Sequence, residues 1–297
     1  MTTELQASRG WEGWRRRLWL YARLTRLHRP IGSLLLLWPT AWALWIASAG
    51  LPSWRWIVIF ALGTLLMRSA GCAINDWADR DFDRHVARTK DRPLTAGAIR
   101  GREALAVAGT LALLAGALLW WLNSLARGLA VLALLVAVIY PFCKRFLPIP
   151  QAVLGVAFGM GIPMAFAAVT AQVGTTAWAL FAANWFWTLA YDTEYAMADR
   201  EDDLRIGIRT AAITFGRWDT TAVLLCYAVA LAILAWVGVR EGYGLAWNGG
   251  LLGAALVAAR HLWWIRGRDP QACLRAFHDN TWFGCAIFAG LLVQTWP

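Results

Sequence analysis

Long apolar stretches separated by short polar connections run along almost the whole chain. Each stretch is close to the roughly 20 residues that an α-helix needs to cross the hydrocarbon core of a bilayer. The pattern therefore predicts an all-α polytopic membrane protein with about nine transmembrane helices. The predicted spans are 33–50, 54–75, 103–122, 126–142, 150–170, 176–198, 211–239, 244–265 and 277–296.

The composition agrees with this interpretation. The chain is 59% hydrophobic and 15% charged, whereas a typical soluble domain is roughly 25% charged. Many of its 21 tryptophans stand near the ends of apolar stretches, as they do in aromatic belts at membrane interfaces. The largest polar segment, about 76–102, is too short to be a domain. We therefore predict one intramembrane domain over residues 1–297, in which this segment forms a cytoplasmic cap.

The connections between the spans alternate between basic and nearly uncharged. The net charge is +10, and the basic residues concentrate before the first span, in 80–102, at Lys144 and Arg145, in 200–217 and in 266–275. An excess of Lys and Arg marks cytoplasmic loops, so the N-terminus and the cap are expected in the cytoplasm and the C-terminus outside. A protein that binds nucleic acid has no reason to alternate in this way, and we expect a lipid bilayer and no nucleic acid as its surroundings.

Residues 1–30 form a basic segment before the first span. Trp11, Trp14, Leu18 and Tyr21 recur there at helical spacing among arginines. This pattern indicates an interfacial helix on the cytoplasmic surface, and a merely basic tail is the alternative.

Two acidic clusters follow the second and the sixth span. Carboxylates are costly at the edge of a hydrocarbon layer and are rarely idle there. If the first cluster is helical, Asn75, Asp79 and Asp83 lie on one face, because they are four residues apart. By the same spacing the second cluster places four side chains on one face: Asp192, Tyr195, Asp199 and Asp203.

The two clusters together indicate a magnesium site that holds a polyanion. Magnesium takes oxygen ligands, keeps several waters and bridges to phosphate oxygens. Both clusters are predicted to be cytoplasmic and lie four spans apart, so they could face each other across a central cavity. Basic side chains near the clusters could bind the remaining phosphate charge: Arg84, Arg88, Lys90, Arg92, Lys144, Arg145, Arg205 and Arg209. Solvated aspartates paired with arginines are the alternative for either cluster alone.

Other polar and aromatic residues near the clusters each allow two roles. Arg68 lies inside the apolar run 57–74 and seven residues before Asn75, so it must face a cavity or a partner; it either binds a ligand carboxylate or neutralises Asp76 or Asp79. Aromatic residues near the clusters could shield a carbocation or simply pack: Tyr140, Phe142, Trp185, Trp187 and Tyr191. The four histidines are expected at surface or interfacial positions without a catalytic role: His28, His85, His261 and His278.

Both clusters resemble motifs of a known family. Asn75-Asp76-x-x-Asp79-x-x-x-Asp83 resembles the first aspartate-rich motif of the UbiA superfamily of intramembrane prenyltransferases, and Asp199-x-x-x-Asp203 resembles the second. The resemblance runs from about residue 20 to the end and includes longer strings: RPIGSLLLLWPTAWALW, LMRSAGCAINDWADRDFD, RTKDRPLTAGAI, YPFCKRF, FGMGIPMAFAAV and YDTEYAMADREDDLRIGIRTAAITFG.

The resemblance implies a magnesium-dependent enzyme of the bacterial inner membrane with a nine-helix fold. It implies transfer of a polyprenyl group from polyprenyl diphosphate to 4-hydroxybenzoate, at the ring carbon ortho to the hydroxyl, in ubiquinone biosynthesis. By motif position, magnesium and diphosphate would be bound by Asn75, Asp79, Asp83, Asp199 and Asp203. Asp192 is a candidate catalytic carboxylate, and Arg68 matches an arginine that holds the carboxylate of the aromatic acid. The remaining predicted substrate-binding residues are Arg92, Tyr140, Lys144, Arg145, Tyr195 and Arg209.

Three alternatives remain open from the sequence. The acceptor could be another molecule used within the superfamily, such as a naphthoate or haem. The chain could instead be a cation transporter, which would place its carboxylates near the bilayer midplane. It could also be a non-enzymatic scaffold of a quinone pathway, in which Asp79 would be dispensable.

Overall fold

The computed structural model describes residues 2–86 and 88–296, with side chains from residue 13 onward. This part of the chain is built from α-helices and two short 3-10 turns, at Leu119–Trp121 and Gly216–Trp218, and contains no strand. The helices are α1 (Thr2–Leu24), α2 (Ile31–Ala47), α3 (Trp54–Asp83), α4 (Gly101–Leu118), α5 (Ser124–Cys143), α6 (Gln151–Gly159), α7 (Gly161–Thr170), α8 (Thr175–Ala198), α9 (Arg200–Ile206), α10 (Ala211–Phe215), α11 (Asp219–Arg240), α12 (Leu245–Ile265) and α13 (Pro270–Gln294).

Helices cover each of the predicted spans, with three differences. α3 continues past the predicted end at residue 75 and carries the first acidic cluster to Asp83. The fifth span is divided into α6 and α7, and the seventh begins with α10 before α11 starts at Asp219. Within the described residues, five stretches are long and apolar enough to cross a bilayer, so the number of crossings stays a prediction. They are Trp54–Asp83, Gly101–Trp121, Ser124–Cys143, Gln151–Thr170 and Ala211–Arg240.

The outer surface of the bundle is apolar. Leu113 on α4 is 77% exposed, and Leu245 at the start of α12 is 91% exposed. A soluble monomer rarely exposes large contiguous apolar surface, whereas a bilayer favours it. The helical, apolar-surfaced architecture is that of an integral membrane protein, which confirms the predicted fold class.

Stacked aromatic rings join three helices at the centre of the bundle. Trp187 of α8 stacks on Trp42 of α2 with ring centroids 5.4 Å apart, and on Phe283 of α13 at 5.1 Å. All three rings are fully buried or nearly so. Such pairs contribute about 0.5–1.5 kcal/mol each beyond the burial of their surface, and they fix α8 between α2 and α13.

A buried polar network ties α8 to the last three helices. The Tyr227 hydroxyl lies 3.0 Å from Glu194 Oε1, and Asn280 Nδ2 donates to Glu194 Oε2 at 2.8 Å. His261 Nδ1 lies 3.0 Å from the same hydroxyl. The expectation that all four histidines are surface or interfacial residues was therefore wrong for His261, which is fully buried. The sequence around a single histidine does not show which distant residues will hydrogen-bond to it.

α12 and α13 approach each other at two glycines. A Cβ on Gly250 would stand 2.7 Å from the Ala286 carbonyl oxygen, and one on Gly290 would stand 2.8 Å from the Ala246 carbonyl oxygen. Only a residue without a side chain fits at such a distance. The two helix backbones are therefore in direct contact.

The N-terminal segment forms a helix that rests on the start of α4. The Tyr21 hydroxyl donates to Glu103 at 2.6 Å, and Arg17 donates to the same carboxylate at 2.5 Å. Trp14 and Leu18 are 68% and 60% exposed, while the side chain of Trp11 lies outside the described residues. The predicted helix is present, and its position on a membrane surface stays a prediction.

Candidate active site

The two acidic clusters line opposite walls of one cavity of about 770 Å³. α3 supplies one wall and α8 with α9 supplies the other, while α2, α5 and the connection after α3 complete the polar end. This arrangement confirms the prediction that the clusters face each other across a central cavity.

The first cluster lies on the α3 face that its spacing predicts. Arg68, Asn75, Asp79 and Asp83 all line the cavity, because α3 remains helical through Asp83. Asp79 and Asp83 are 4% and 7% exposed. Their carboxylates therefore face the cavity and little bulk solvent.

The second cluster reaches the cavity by a different route from the predicted continuous helix. α8 ends at Ala198, and Asp199 (φ −96°, ψ 4°) separates it from α9. The Asp203 N–H still donates to the Asp199 carbonyl at 2.9 Å, which preserves the one-turn spacing across the break. Asp192, Tyr195, Asp199 and Asp203 consequently line the same cavity.

Three cluster carboxylates pair with basic side chains from other segments. Lys144 pairs with Asp79. Arg92 Nη1 lies 2.7 Å from Asp83 Oδ2, and Arg88 Nε lies 3.0 Å from Asp199 Oδ1. Charge-assisted bonds of this kind offset the cost of removing carboxylates from water.

Asp203 has no ion-pair partner among the residues that the structure describes. Burial raises the pKa of the Asp203 carboxyl to about 7, and the charge of Asp199 acts in the same direction. A raised pKa means that negative charge is incompletely balanced at this position. Added positive charge beside Asp199 and Asp203 would therefore be stabilising.

The donor chemistry of the site fits magnesium. Within the described ranges, no three or more His, Cys, Asp or Glu side chains converge as a closed protein cage. Magnesium does not require one, because it keeps several waters and is usually bound through one or two carboxylates plus substrate phosphates. Aspartates on two facing walls can thus hold hydrated magnesium with a diphosphate between them. Asp79 and Asp83 would serve from α3, and Asp199 and Asp203 from the other wall.

Arg68 faces the cavity without neutralising either candidate aspartate. Its Nε is buried and has no hydrogen-bond partner among the described residues, and its Nη1 contacts Cys72 Sγ. Gly32 lies against it, since a Cβ there would stand 2.6 Å from Nη2. The alternative that Arg68 neutralises Asp76 or Asp79 was therefore wrong. Asp76 pairs with Arg26 and Arg92, and Asp79 pairs with Lys144. Arg68 lines the cavity and pairs with no carboxylate among the described residues, which suits it to an anionic ligand.

The other predicted substrate-binding residues fall into two groups. Arg92, Tyr140, Lys144, Tyr195 and Arg209 line the cavity. Arg145 does not line it, because its Nη2 donates to the Ala78 carbonyl at 3.0 Å and its guanidinium lies 5.2 Å from the Phe142 ring centroid. Its prediction as a substrate-binding residue finds no support in this geometry. Three further basic candidates also lie outside the cavity lining: Arg84, Lys90 and Arg205.

The aromatic candidates divide in a similar way. Tyr140 and Tyr191 line the cavity, and either ring could face a developing positive charge. Trp187 belongs to the packed core, and Trp185 donates through Nε1 to the Ala152 carbonyl at 2.8 Å. The packing alternative is thus correct for both tryptophans.

Sequence reasoning missed one connected part of the site. Arg26 lies 2.7 Å from Asp76 Oδ1, which also receives Arg92 Nη1 at 3.1 Å. Arg92 therefore bridges Asp76 to Asp83. Arg26 has a left-handed backbone (φ 60°), which few non-glycine residues adopt. Nothing in the sequence indicated which of the seven N-terminal arginines would reach the cavity.

Comparison with known proteins gives a consistent result. Residues 36–288 match the model of the UbiA prenyltransferase family. The chain is 60% identical over 277 residues to a protein of Cupriavidus necator named 4-hydroxybenzoate octaprenyltransferase, covering 93% of this chain and 97% of the relative. A protein of the same name from Thiobacillus denitrificans is 57% identical over 278 residues, covering 94% of this chain and 95% of the relative.

Solved structures share the fold. A UbiA homolog from Aeropyrum pernix K1 superposes with a TM-score of 0.77 at 28% identity, covering 90% of this chain and 98% of that one. A UbiA homolog from Archaeoglobus fulgidus bound to DMAPP and Mg²⁺ superposes with a TM-score of 0.71 at 20% identity, covering 92% of this chain and 99% of that one. With its facing aspartate clusters and this extent of similarity, the chain belongs to the UbiA prenyltransferase family.

Proposed function

We propose that this enzyme transfers a polyprenyl group from polyprenyl diphosphate to 4-hydroxybenzoate, at the ring carbon ortho to the hydroxyl, as a step of ubiquinone biosynthesis. The observation that carries the proposal is that the aspartate clusters line the same cavity as Arg68, which pairs with no carboxylate among the described residues. The names of relatives at 57–60% identity support the same acceptor.

The polar end of the cavity suits the diphosphate of the donor. Magnesium, when bound, would neutralise the diphosphate and make it a better leaving group. Arg88, Arg92 and Lys144 already lie beside the cluster carboxylates, so their guanidinium and ammonium groups can also donate to phosphate oxygens. Three positively charged side chains suit a ligand that carries several negative charges.

Arg68 is proposed to bind the acceptor through its carboxylate. Arg68 and Asn75 are separated by two helical turns on the same face of α3, and both line the cavity. A benzoate held at Arg68 would extend its ring towards Asn75 and Asp79, where the diphosphate end of the donor is expected. The chain thus supplies orientation for both reactants.

The proposed reaction is an electrophilic substitution on the ring. The allylic C–O bond breaks and its electron pair leaves with the diphosphate. The ring carbon ortho to the hydroxyl then forms the new C–C bond, and transfer of its proton to the released diphosphate or to a cavity aspartate restores aromaticity. Tyr140 and Tyr191 would face the allylic cation, and the largely apolar cavity would limit its capture by water. Asp192 lines the same cavity and is proposed as an essential carboxylate.

We further propose that the aspartate clusters face the cytoplasm of a bacterial inner membrane. The basic segments lie at the same end as the clusters, in agreement with the charge rule for cytoplasmic loops. The clusters stand at the ends of α3 and α8, not at their midpoints as a cation transporter would require.

The test is a transfer assay in membranes that contain the chain. Labelled 4-hydroxybenzoate, octaprenyl diphosphate and magnesium are supplied, and lipid-extractable label is counted and its ring position identified by NMR. Product that disappears with EDTA and returns with added magnesium supports the proposal. A folded protein that prenylates a dihydroxynaphthoate but never 4-hydroxybenzoate would overturn the acceptor assignment.

A further inference from the structure

The short helix α9 carries Asp203, yet it is not held in place by buried side chains. None of the residues 200–206 is buried. Most helices in proteins are stabilised by a face that packs against a neighbouring element, and α9 lacks this support. Asp203 itself has no ion-pair partner among the described residues. The position of its carboxylate therefore depends on how the two ends of α9 are attached.

The chain after α9 is attached to the connection between α5 and α6 and to the start of α6. The Arg209 N–H donates to the Lys144 carbonyl at 3.3 Å, and the Ala211 N–H donates to Gln151 Oε1 at 2.9 Å. Gly207 separates α9 from these residues and has φ 73°, a left-handed conformation that favours glycine. These bonds locate the chain after α9 and leave its first turn to other contacts.

A buried carboxylate holds the start of α9. Arg200 is the first residue of α9, and its Nη1 lies 2.8 Å from Asp219 Oδ2. Asp219 is the first residue of α11, and its side chain is completely buried. Arg268, in the turn between α12 and α13, contacts the same carboxylate with Nε 3.0 Å from Oδ2 and Nη2 2.7 Å from Oδ1. One carboxylate thus joins α9 to two other parts of the bundle.

Arg268 already balances the charge of Asp219. Its bidentate contact is the strong arrangement of an arginine and a carboxylate, and the Thr220 N–H also donates to Asp219 Oδ1 at 2.6 Å. Arg200 is therefore a second cation on a carboxylate that has its counter-charge. The consequence of the Arg200 contact is geometric, because it fixes the residue next to Asp199 at the break between α8 and α9.

We propose that Asp219 is a positioning residue for the second aspartate cluster. By holding Arg200, it fixes the first turn of α9 so that Asp203 stays beside Asp199 on the cavity wall. Asp219 does not line the cavity itself and lies outside both aspartate-rich motifs. The inference rests on the proposed function, since it takes Asp199 and Asp203 as groups that hold magnesium and diphosphate.

The test measures magnesium binding without turnover. Geranyl S-thiolodiphosphate, a donor analogue whose C–S bond resists cleavage, is kept at saturation while magnesium is titrated. The readout is the magnesium concentration that gives half of the maximal rise in the thermal unfolding midpoint. Arg200→Met removes the contact with α9 and leaves Arg268 on Asp219, so the fold should be kept. The half-maximal concentration should rise at least about tenfold, as it does when groups that orient metal ligands are removed.

The direction of the change separates position from charge. Arg200 is a cation close to the aspartates, so the loss of its charge alone should strengthen magnesium binding. Weaker binding in Arg200→Met therefore reports lost geometry. Arg205→Met is the matched control, because Arg205 lies on the same helix, has a side chain that is 73% exposed and pairs only within α9, with Glu201 and Asp202. Its half-maximal concentration should not exceed the wild-type value.

The outcomes separate the inference from the function on which it rests. Asp219→Asn should reproduce the effect of Arg200→Met, because an amide carries no charge to hold Arg200; if Asp219→Asn does not fold, Arg200→Met decides alone. A wild-type half-maximal concentration in Arg200→Met overturns the inference, and so does an equal rise in Arg205→Met. A wild-type chain whose unfolding midpoint does not respond to magnesium would instead refute the metal site of the proposed function.

Discussion

Arg88 Nε lies 3.0 Å from Asp199 Oδ1, and the Arg88 guanidinium lies 4.6 Å from the ring centroid of Tyr195. The connection after α3 is thereby joined to the end of α8. The two halves of the site, which are 111 residues apart in the chain, meet at this pair. Arg88 is thus placed to respond to both the aspartates and a bound phosphate.

Arg88→Ala should raise KM for the polyprenyl donor by about tenfold or more. A hydrogen bond to a charged group contributes about 1.5–3 kcal/mol, and 1.4 kcal/mol is a tenfold change in affinity. KM for the acceptor should change little, because the proposed acceptor site at Arg68 lies on a different part of the cavity wall. Lys90→Ala is the matched control, since Lys90 is exposed on the same connection and does not line the cavity. Equal donor KM values in the two variants would remove Arg88 from the phosphate site.

Asp79→Asn should lower the rate by at least about a hundredfold, as removal of a central electrostatic group does in other active sites. It should also reduce the magnesium-dependent rise in the thermal unfolding midpoint, because a ligand that binds only the folded state stabilises it. The matched control is Asp81→Asn. Asp81 belongs to the same cluster, but its side chain is 72% exposed. Equal falls in rate for Asp79→Asn and Asp81→Asn would show that the rate depends on the total charge of the cluster and not on a metal ligand at Asp79.

Arg68→Met should raise KM for 4-hydroxybenzoate by about ten- to a hundredfold without a comparable change for the donor. The amide analogue 4-hydroxybenzamide lacks the negative charge. We expect the enzyme to use it less well than the acid, and its KM should change less in this variant. Gly32→Ala should act in the same direction, because its new methyl group must displace Arg68 Nη2. Gly109→Ala is the control, since a Cβ there meets no atom within 4 Å among the described residues. An Arg68→Met enzyme that still prefers the acid over the amide by the wild-type factor would contradict the assignment.

Glu194→Ala should destabilise the protein by about 1–3 kcal/mol, because it removes a fully buried carboxylate that accepts hydrogen bonds from both Asn280 Nδ2 and the Tyr227 hydroxyl. The thermal unfolding midpoint in one detergent measures the effect. Glu201→Ala, at a side chain that is 85% exposed, should lie within about 0.5 kcal/mol of the wild type. Equal midpoints for the two variants would mean that the network adds nothing to stability.

Local spacing was sufficient to predict the helices and the helix face that lines the cavity. Arg68, Asn75, Asp79 and Asp83 belong to one helix, so their common face follows from its period alone. The break at Asp199 was not predictable, because Arg-Glu-Asp-Asp carries no Gly or Pro to signal it. Nor were the ion pairs, since Lys144 reaches Asp79 across 65 positions.

Tertiary contacts that the sequence does not show also explain why the predictions for Arg145 and His261 failed. Arg145 follows Lys144 directly, yet it turns to the Ala78 carbonyl, because neighbouring residues on a turn point in different directions. His261 looked like an isolated polar residue, and only the packing of α8, α11 and α13 around it supplies its partners. Residue type thus predicted chemistry at periodic positions and failed where tertiary contacts decide orientation.

The glycine contact between α12 and α13 has a mechanical consequence. Gly250 and Gly290 are in backbone contact, so rotation of either helix about its axis would press a neighbouring side chain against the other backbone. Movement during the catalytic cycle would therefore displace α12 and α13 together as one rigid unit. Since Phe283 of α13 stacks on Trp187 of α8, this displacement would be transmitted to the helix that bears Asp192.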